Sequence, residues 1–148
     1  MADDKHFISI RIRNTSFLLP ANASLGIEQR ETLEINSGKG SRAVAWKIVG
    51  ANKWPAYALD ENLKLTGGNA WERVVYLQDG ARVVGLAAEN IQIMNRDDIQ
   101  VQPFLPVGPA PKSGKHLFSS SWIEGNTPVL MFEPSALAAY LTVVGGVS

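Results

Sequence analysis

Cysteine is absent from the 148 residues, histidine occurs only twice, and fourteen basic residues are cancelled by fourteen acidic ones. Each scarcity excludes something. Without cysteine there is no disulfide framework, no thiolate metal site and no cysteine nucleophile. Without net charge or a Lys/Arg cluster, the electrostatic footprint that drives phosphate-backbone binding is missing, and nucleic acid is not expected as a partner. The opening "MADDKHFISI" sets two acids before a short apolar run and reads as neither a signal peptide nor a membrane span. The expectation is a cytoplasmic protein with no direct membrane insertion.

Assembled chemistry is equally scarce. His6 and His116 have no Asp, Glu or Cys at metal-binding spacing, so no metal and no cofactor is expected. Gly38-Lys39-Gly40-Ser41 and Gly114-Lys115 fail the spacing of a phosphate loop. Ser119 to Ser121 lie in a strand pattern, not in a nucleophile elbow. Asp97 and Asp98 are adjacent, which points them to opposite faces of an extended chain and suits a turn better than a paired acid–base site. An enzyme is not expected.

What is present is strand signal. A chain of this length buries about 68 to 70% of its unfolded surface, enough for one well-packed domain or two small fused lobes. "HFISIRI" at 6 to 12 alternates Ile8, Ile10 and Ile12 with Phe7, Ser9 and Arg11, the period of a half-buried strand. A turn at Asn14-Thr15 leads into "SFLLP", and further strands are read at 32–35, 43–49 and 54–59. Asp79-Gly80 divides "RVVYLQ" from "ARVVGLAA" as a type I′ hairpin turn. The proline-rich segment 103–111 is an extended connector, and a last hairpin follows, "LFSSSWI" and "TPVLMF" around Glu124-Gly125-Asn126. Short helices are expected at 60–65 and 133–141, each opened by an acid suited to a helix N-terminus.

The two acids belong to an internal echo. Pro55 to Leu59, Asp60 and Leu63 repeat as Pro128 to Phe132, Glu133 and Leu137. The echo implies two similar lobes. Four tryptophans, Trp46, Trp54, Trp71 and Trp122, fall at or near strands, where they either fill a core or anchor an interface.

"RVVYLQDGARVVGLAAENIQIM", then "RDDIQVQP", a proline-rich connector and "HLFSSSWIEGNTPVLMFEPSAL", resembles the second half of the CheW-like domain, the adaptor family of bacterial chemosensory arrays. Gly85-Leu86, Glu89, Ile91, Asp98-Ile99, Pro103, Glu124-Gly125 and Glu133 fall at matching places, and "FISIRIRNTSFLLPANASLGIE" is similar to the family's opening hairpin. The resemblance implies a mainly β fold: a single CheW-like domain over 6–141, built of two small SH3-like five-stranded β-barrel lobes (6–70 and 71–141) with short helices, and a tail at 142–148. It implies a non-enzymatic adaptor that couples a chemoreceptor's cytoplasmic helical tip to the regulatory domain of a chemosensory histidine kinase.

One departure bears on the partners. Family members carry an Asn-Leu-Arg-Gly turn whose arginine is tied to function; here Val49-Gly50 stands in the Arg-Gly place, with one extra residue before Pro55. Lys47 and Lys53 flank it without offering a planar bidentate contact. The resemblance thus points to a divergent adaptor, for instance one from a pilus-motility or other alternative chemosensory system, or a member with a changed partner. Its candidate protein-interaction residues are Lys47, Val49, Gly50, Trp54, Glu89 and Ile91. The competing reading is a small-ligand sensor with Trp46, Trp54 and Tyr57 lining a pocket between the two barrels.

Overall fold

The computed structural model describes residues 6–36, 42–66, 70–95, 101–103, 117–124 and 127–145. Among the described residues thirteen strands run in chain order: β1 (His6–Ile12), β2 (Thr15–Pro20), β3 (Gly26–Gln29), β4 (Glu34–Ile35), β5 (Ala45–Val49), β6 (Asn52–Leu59), β7 (Leu65–Thr66), β8 (Arg73–Asp79), β9 (Arg82–Ala88), β10 (Asn90–Asn95), β11 (Val101–Pro103), β12 (Phe118–Glu124) and β13 (Thr127–Phe132). The helix α1 (Pro134–Val144) follows, and short 3₁₀ turns lie at Ala21–Ala23 and Arg30–Thr32.

The strands form two sheets with one pairing scheme. Sheet A runs β10-β1-β2-β13-β12-β11 and sheet B runs β3-β8-β9-β6-β5-β4, with β7 added to β6. In both, the central pair is parallel, β2 with β13 and β9 with β6, and every other pair on the path is antiparallel. The sequence echo therefore falls on equivalent strands, β6 and β13. Lobes cut at 70/71 are corrected by this topology. Hairpin β1–β2 joins sheet A with strands 90–132, whereas β8–β9 joins sheet B with strands 26–66, so each half of the chain lends its opening hairpin to the other half's sheet.

Five strands per lobe become six positions on each path because one edge segment is broken in two. In sheet B the break is the turn at Arg30–Thr32, which separates β3 from β4 at opposite edges. Four intervening residues hold those edges within about 18 Å. A flat six-strand sheet would set them about 24 Å apart, so sheet B must curl. The edges of sheet A, β10 and β11, are likewise consecutive in the chain.

Three apolar clusters match this shape. Each curled sheet has its own interior, with Leu18, Val129 and Met131 in sheet A, and Leu33, Ala45, Trp71, Val74 and Tyr76 in sheet B. Between them lies the largest cluster, a shared seam to which β1 gives Ile8, Ile10 and Ile12, β9 gives Leu86, and α1 gives Leu137 and Leu141. Both faces of most strands are thus occupied, which is why the apolar runs of β8 and β9 are nearly continuous. Glycine is required at Gly85 on β9, where a Cβ would meet Val74 Cγ1 at 2.5 Å and Tyr76 Cε1 at 2.8 Å.

Two local readings change. The segment 60–65 is not helical: the Asp60 carboxylate accepts from the N–H of Asn62 at 2.8 Å and of Lys64 at 3.0 Å, Leu63 adopts φ +63°, and the chain turns back into β7. The Lys64 N–H, followed by that of Asn62, holds the Asp60 carboxyl below its usual range. A few residues cannot repay helix nucleation, and this side chain satisfies the backbone another way. At 133 the acid does cap a helix, Glu133 Oε2 accepting from the Ala136 N–H at 2.7 Å with Pro134 in the first turn. The second change concerns the β8–β9 loop, which is Gly80-Ala81, Asp79 being paired with Arg82. Only Gly80 has positive φ, +60°, as a type II′ turn requires, and Gly50-Ala51 repeats the device between β5 and β6 with Gly50 at +61°. Of the expected strand at 32–35, only Glu34–Ile35 pairs as a strand, Leu33 before it being extended but outside the ladder. Asp97, Asp98 and His116 lie outside the described residues.

Candidate functional site

Four of the six sequence-predicted interaction residues, Lys47, Val49, Gly50 and Trp54, come together on the β5–β6 hairpin; the other two do not join them. Lys47 and Trp54 are directly opposed, and so are Trp46 and Pro55. Because side chains alternate along a strand, the hairpin places one tryptophan and one lysine on each face.

On the face toward the sheet B interior, Lys47 Nζ pairs with Glu28 Oε2 at 2.9 Å and lies 5.4 Å from the centre of the Trp54 ring. Trp54 in turn meets the Tyr76 ring at 5.7 Å, and the Tyr76 hydroxyl donates to the Trp54 carbonyl at 3.1 Å. On the other face Lys53 Nζ pairs with Glu34 Oε2 at 3.2 Å and sits 5.7 Å from the Trp46 ring centre. Such pairs are worth about 0 to 1 kcal/mol when exposed. They hold the ring planes more than they stabilise the fold. Lys47 is thus paired within the chain, with about a third of its side chain exposed.

Glu89 serves the joint between the sheets. Its Oε2 accepts from the Arg13 N–H at 3.0 Å, and its own N–H donates to the Arg11 carbonyl at 3.0 Å. Arg13 is in the left-handed region, φ +54°, and its Nε pairs with Glu61 Oε2 at 3.2 Å. The lone acid therefore steadies the β1–β2 turn of sheet A from the point where the chain leaves sheet B. Ile91 is corrected outright: it is 0% exposed, opposes Ile10 across β1 and β10, and belongs to the shared seam. A side chain with no exposed surface cannot touch a partner.

Trp46, Trp54 and Tyr57 do border one cavity, an open groove of about 510 Å³. Its place differs from the expected one. Among the described residues the lining comes from β5, β6, β9 and the β8–β9 turn, with Thr142 of α1, and none from a strand of sheet A. Tyr57 is only 2% exposed there. Sequence reasoning missed Asn52, Arg82, Val83 and Thr142, which line it too. A usable signal was Pro55, which cannot donate to a ladder and so marks a strand whose pairing is interrupted. Parallel pairing of β6 with β9 indeed begins only at Ala56 and Gly85.

Thr142 closes one end by donating from Oγ1 to Asp79 Oδ2 at 2.8 Å, which ties α1 to the β8–β9 hairpin. Trp71 is core, 4% exposed, with the Arg30 guanidinium 4.5 Å from its ring centre. Among the described residues there is no group of three or more His, Asp or Glu that could hold a metal ion, and no helix long and apolar enough to cross a membrane.

The tyrosines give this region a pH signature. Burial, and then the neighbouring Glu28 carboxylate, push the Tyr76 hydroxyl far above the ordinary phenol range, and burial raises Tyr57 as well. The unfolded chain ionises its tyrosines near pH 10 while the folded chain keeps Tyr76 protonated, so stability is unaffected below about pH 10 and is lost as pH rises beyond it. The expected slope from Tyr76 is about 1.4 kcal/mol per pH unit. Urea midpoints between pH 8 and pH 11 test this: Tyr76→Phe should lower stability at pH 8 by about 1 kcal/mol yet flatten the alkaline fall. An unaltered slope would refute the assignment.

No protein-family model matches this sequence, and no curated protein sequence does. Among solved structures, the scaffolding protein TtCheW from Thermoanaerobacter tengcongensis superposes with a TM-score of 0.59 over 88% of this chain and 89% of that one, at 9% sequence identity. The pairing of two curled sheets about one seam, followed along nearly the full length of both chains, is thus the CheW-like fold.

Proposed function

We propose that this chain is a non-enzymatic adaptor of a chemosensory pathway, a scaffold that joins a chemoreceptor's cytoplasmic helical tip to the regulatory domain of a histidine kinase. The observation that carries the reading is the end-to-end likeness of the fold to a protein described as a scaffold. Fold alone does not set function. An alternative system, such as one controlling pilus motility, is favoured because the β5–β6 turn has Val49-Gly50 where the common members have Arg-Gly.

The test is capture of purified protein on the immobilised regulatory domain of a chemosensory kinase and on a receptor-tip coiled coil from the same source, followed by kinase assays with all three present. Binding to one of them and a changed kinase output are expected. No capture by any such partner of the source organism defeats the proposal. Val49→Arg adds a guanidinium at the end of β5, beside the exposed Gly50 turn, where a long side chain can reach water. It should tighten contact with a common kinase domain by about tenfold, the gain of one charge-assisted contact. Unchanged affinity would mean that the surface has been rebuilt around other residues.

A further inference from the structure

We propose that the groove where β5, β6 and β9 meet α1 is a binding site for a small neutral aromatic ring that bears a carbonyl group, such as a lactam. The argument starts from one side chain. Tyr57 lines the groove and is 2% exposed, yet its hydroxyl meets no hydrogen-bond partner among the described residues. Every wholly buried side-chain polar atom of those residues does have a partner, so the Tyr57 oxygen is not sealed in, and the surface it keeps opens on the groove. Gly145 crowds it from another side, where a Cβ would lie 2.7 Å from the same oxygen. Burial raises the Tyr57 pKa, so the hydroxyl stays protonated at neutral pH and is a donor without an acceptor. An unmet buried donor is costly, and an acceptor brought by water or a ligand relieves it.

The walls decide what carries that acceptor. Trp46 and Pro55 oppose each other across β5 and β6, and Trp46, Tyr57 and Val84 all pack on the shared seam, so the four project from the seam face of sheet B. α1 borders the groove through Thr142, and between that helix and β5 the apolar face lies open over about 510 Å³, a usual size for a small-molecule site. A flat aromatic body fits against Trp46 and Pro55 and extends the seam's apolar packing. A peptide strand suits the place less well, because Pro55 has no N–H to offer it.

Charge at the rim is already balanced. Lys53 pairs with Glu34 at 3.2 Å, Arg82 is engaged within the chain and stands opposite Asp79, and the Thr142 hydroxyl is given to Asp79 Oδ2 at 2.8 Å. An anion would have to displace these partners, and a cation finds no carboxylate among the described lining residues, so the groove selects a neutral guest. The site is independent of the chemosensory reading, because it rests on sheet B and α1 alone.

The probe is 2-quinolinone, titrated into the isotope-labelled full chain with the amides of Val83 and Val84 and the indole N–H of Trp46 as magnetic-resonance reporters. A saturable shift with a dissociation constant below about 1 mM is expected. It should be unchanged within about twofold between low and high salt, since the guest carries no charge. Indole, flat and neutral but without a carbonyl, should bind about tenfold more weakly, and Tyr57→Phe should weaken 2-quinolinone by about tenfold while leaving indole as it was, the loss of one hydrogen bond. Because the Tyr57 hydroxyl has no partner to lose, Tyr57→Phe should not lower the urea midpoint of the free protein. The proposal is overturned by no saturable shift at millimolar 2-quinolinone, by equal binding to Tyr57→Phe, or by a lowered midpoint for that variant, which would show the hydroxyl held within the chain. It is also overturned if quinoline-2-carboxylate binds more tightly than 2-quinolinone, which would make this an anion site. Saturation of the same resonances at lower concentration by the neutral peptide acetyl-Thr-Val-Thr-Val-Thr-amide would overturn it too, giving the groove to a strand.

Discussion

Phe132→Ala should lower the stability of this protein by about 3 to 5 kcal/mol, enough to unfold a marginal domain. Phe132 ends β13, is 0% exposed, and stacks on Phe17 at 4.9 Å and on Phe118 at 5.1 Å between ring centres. The three rings come from β2, β12 and β13, so they brace the parallel β2–β13 contact that joins the two distant portions of sheet A. Truncation loses the buried ring, its two stacking partners and the support beneath Glu133, which caps α1 from the next position. Urea unfolding checks it: a lower midpoint with an unchanged slope is expected, and Phe132→Leu should recover much of the loss. A loss under 1 kcal/mol would show that the rings are not tightly packed.

Ile91→Ala should cost about 2 to 5 kcal/mol in stability and leave partner binding unchanged once the comparison is made where both proteins are folded. Ile91 pairs with Ile10, each 0% exposed, and its carbonyl accepts from Arg73 Nη1 at 2.9 Å. It fills the seam immediately after the chain crosses from sheet B to sheet A. Reduced binding with unchanged stability would return Ile91 to the interaction surface and contradict its burial.

The contrast between Ile91 and Lys47 shows why site residues are harder to read than strands. Alternation at 6 to 12, the glycine turns and the capping acid at 133 are local signals, and each reappears in the structure because the physics that produces it acts over a few residues. Whether an isoleucine in an alternating strand faces a seam or the solvent depends on what packs against that face, and in a fold with three apolar clusters both faces of a strand can be covered. Lys47 has the same ambiguity in charge. Its partner, Glu28, lies nineteen residues away on β3, and nothing in the spacing announces the pair.

Asp60 and Glu133 mark the limit of the internal echo. Both follow a strand and both use their carboxylate to accept backbone N–H groups. Glu133 is followed by Pro134 and an apolar stripe that the seam can bury, so a helix propagates. Asp60 is followed by Glu61-Asn62 and then by Leu63 in the left-handed region, whose carbonyl accepts the Tyr140 hydroxyl of α1. The turn at the first acid is thus held by the helix that follows the second.

By itself the sequence determined the β-rich class, the hairpins, the capped C-terminal helix and the existence of two related halves, because hydrophobic period, turn glycines and capping side chains are short-range properties. Only the tertiary structure decided that each half exchanges its first hairpin with the other, that Ile91 is core, that Glu89 braces a turn seventy-six residues away, and that β6 and β9 part ahead of Ala56. Those outcomes depend on which apolar faces find one another across the chain. That choice is made by burial of area summed over the whole molecule, and no window of neighbouring residues contains it.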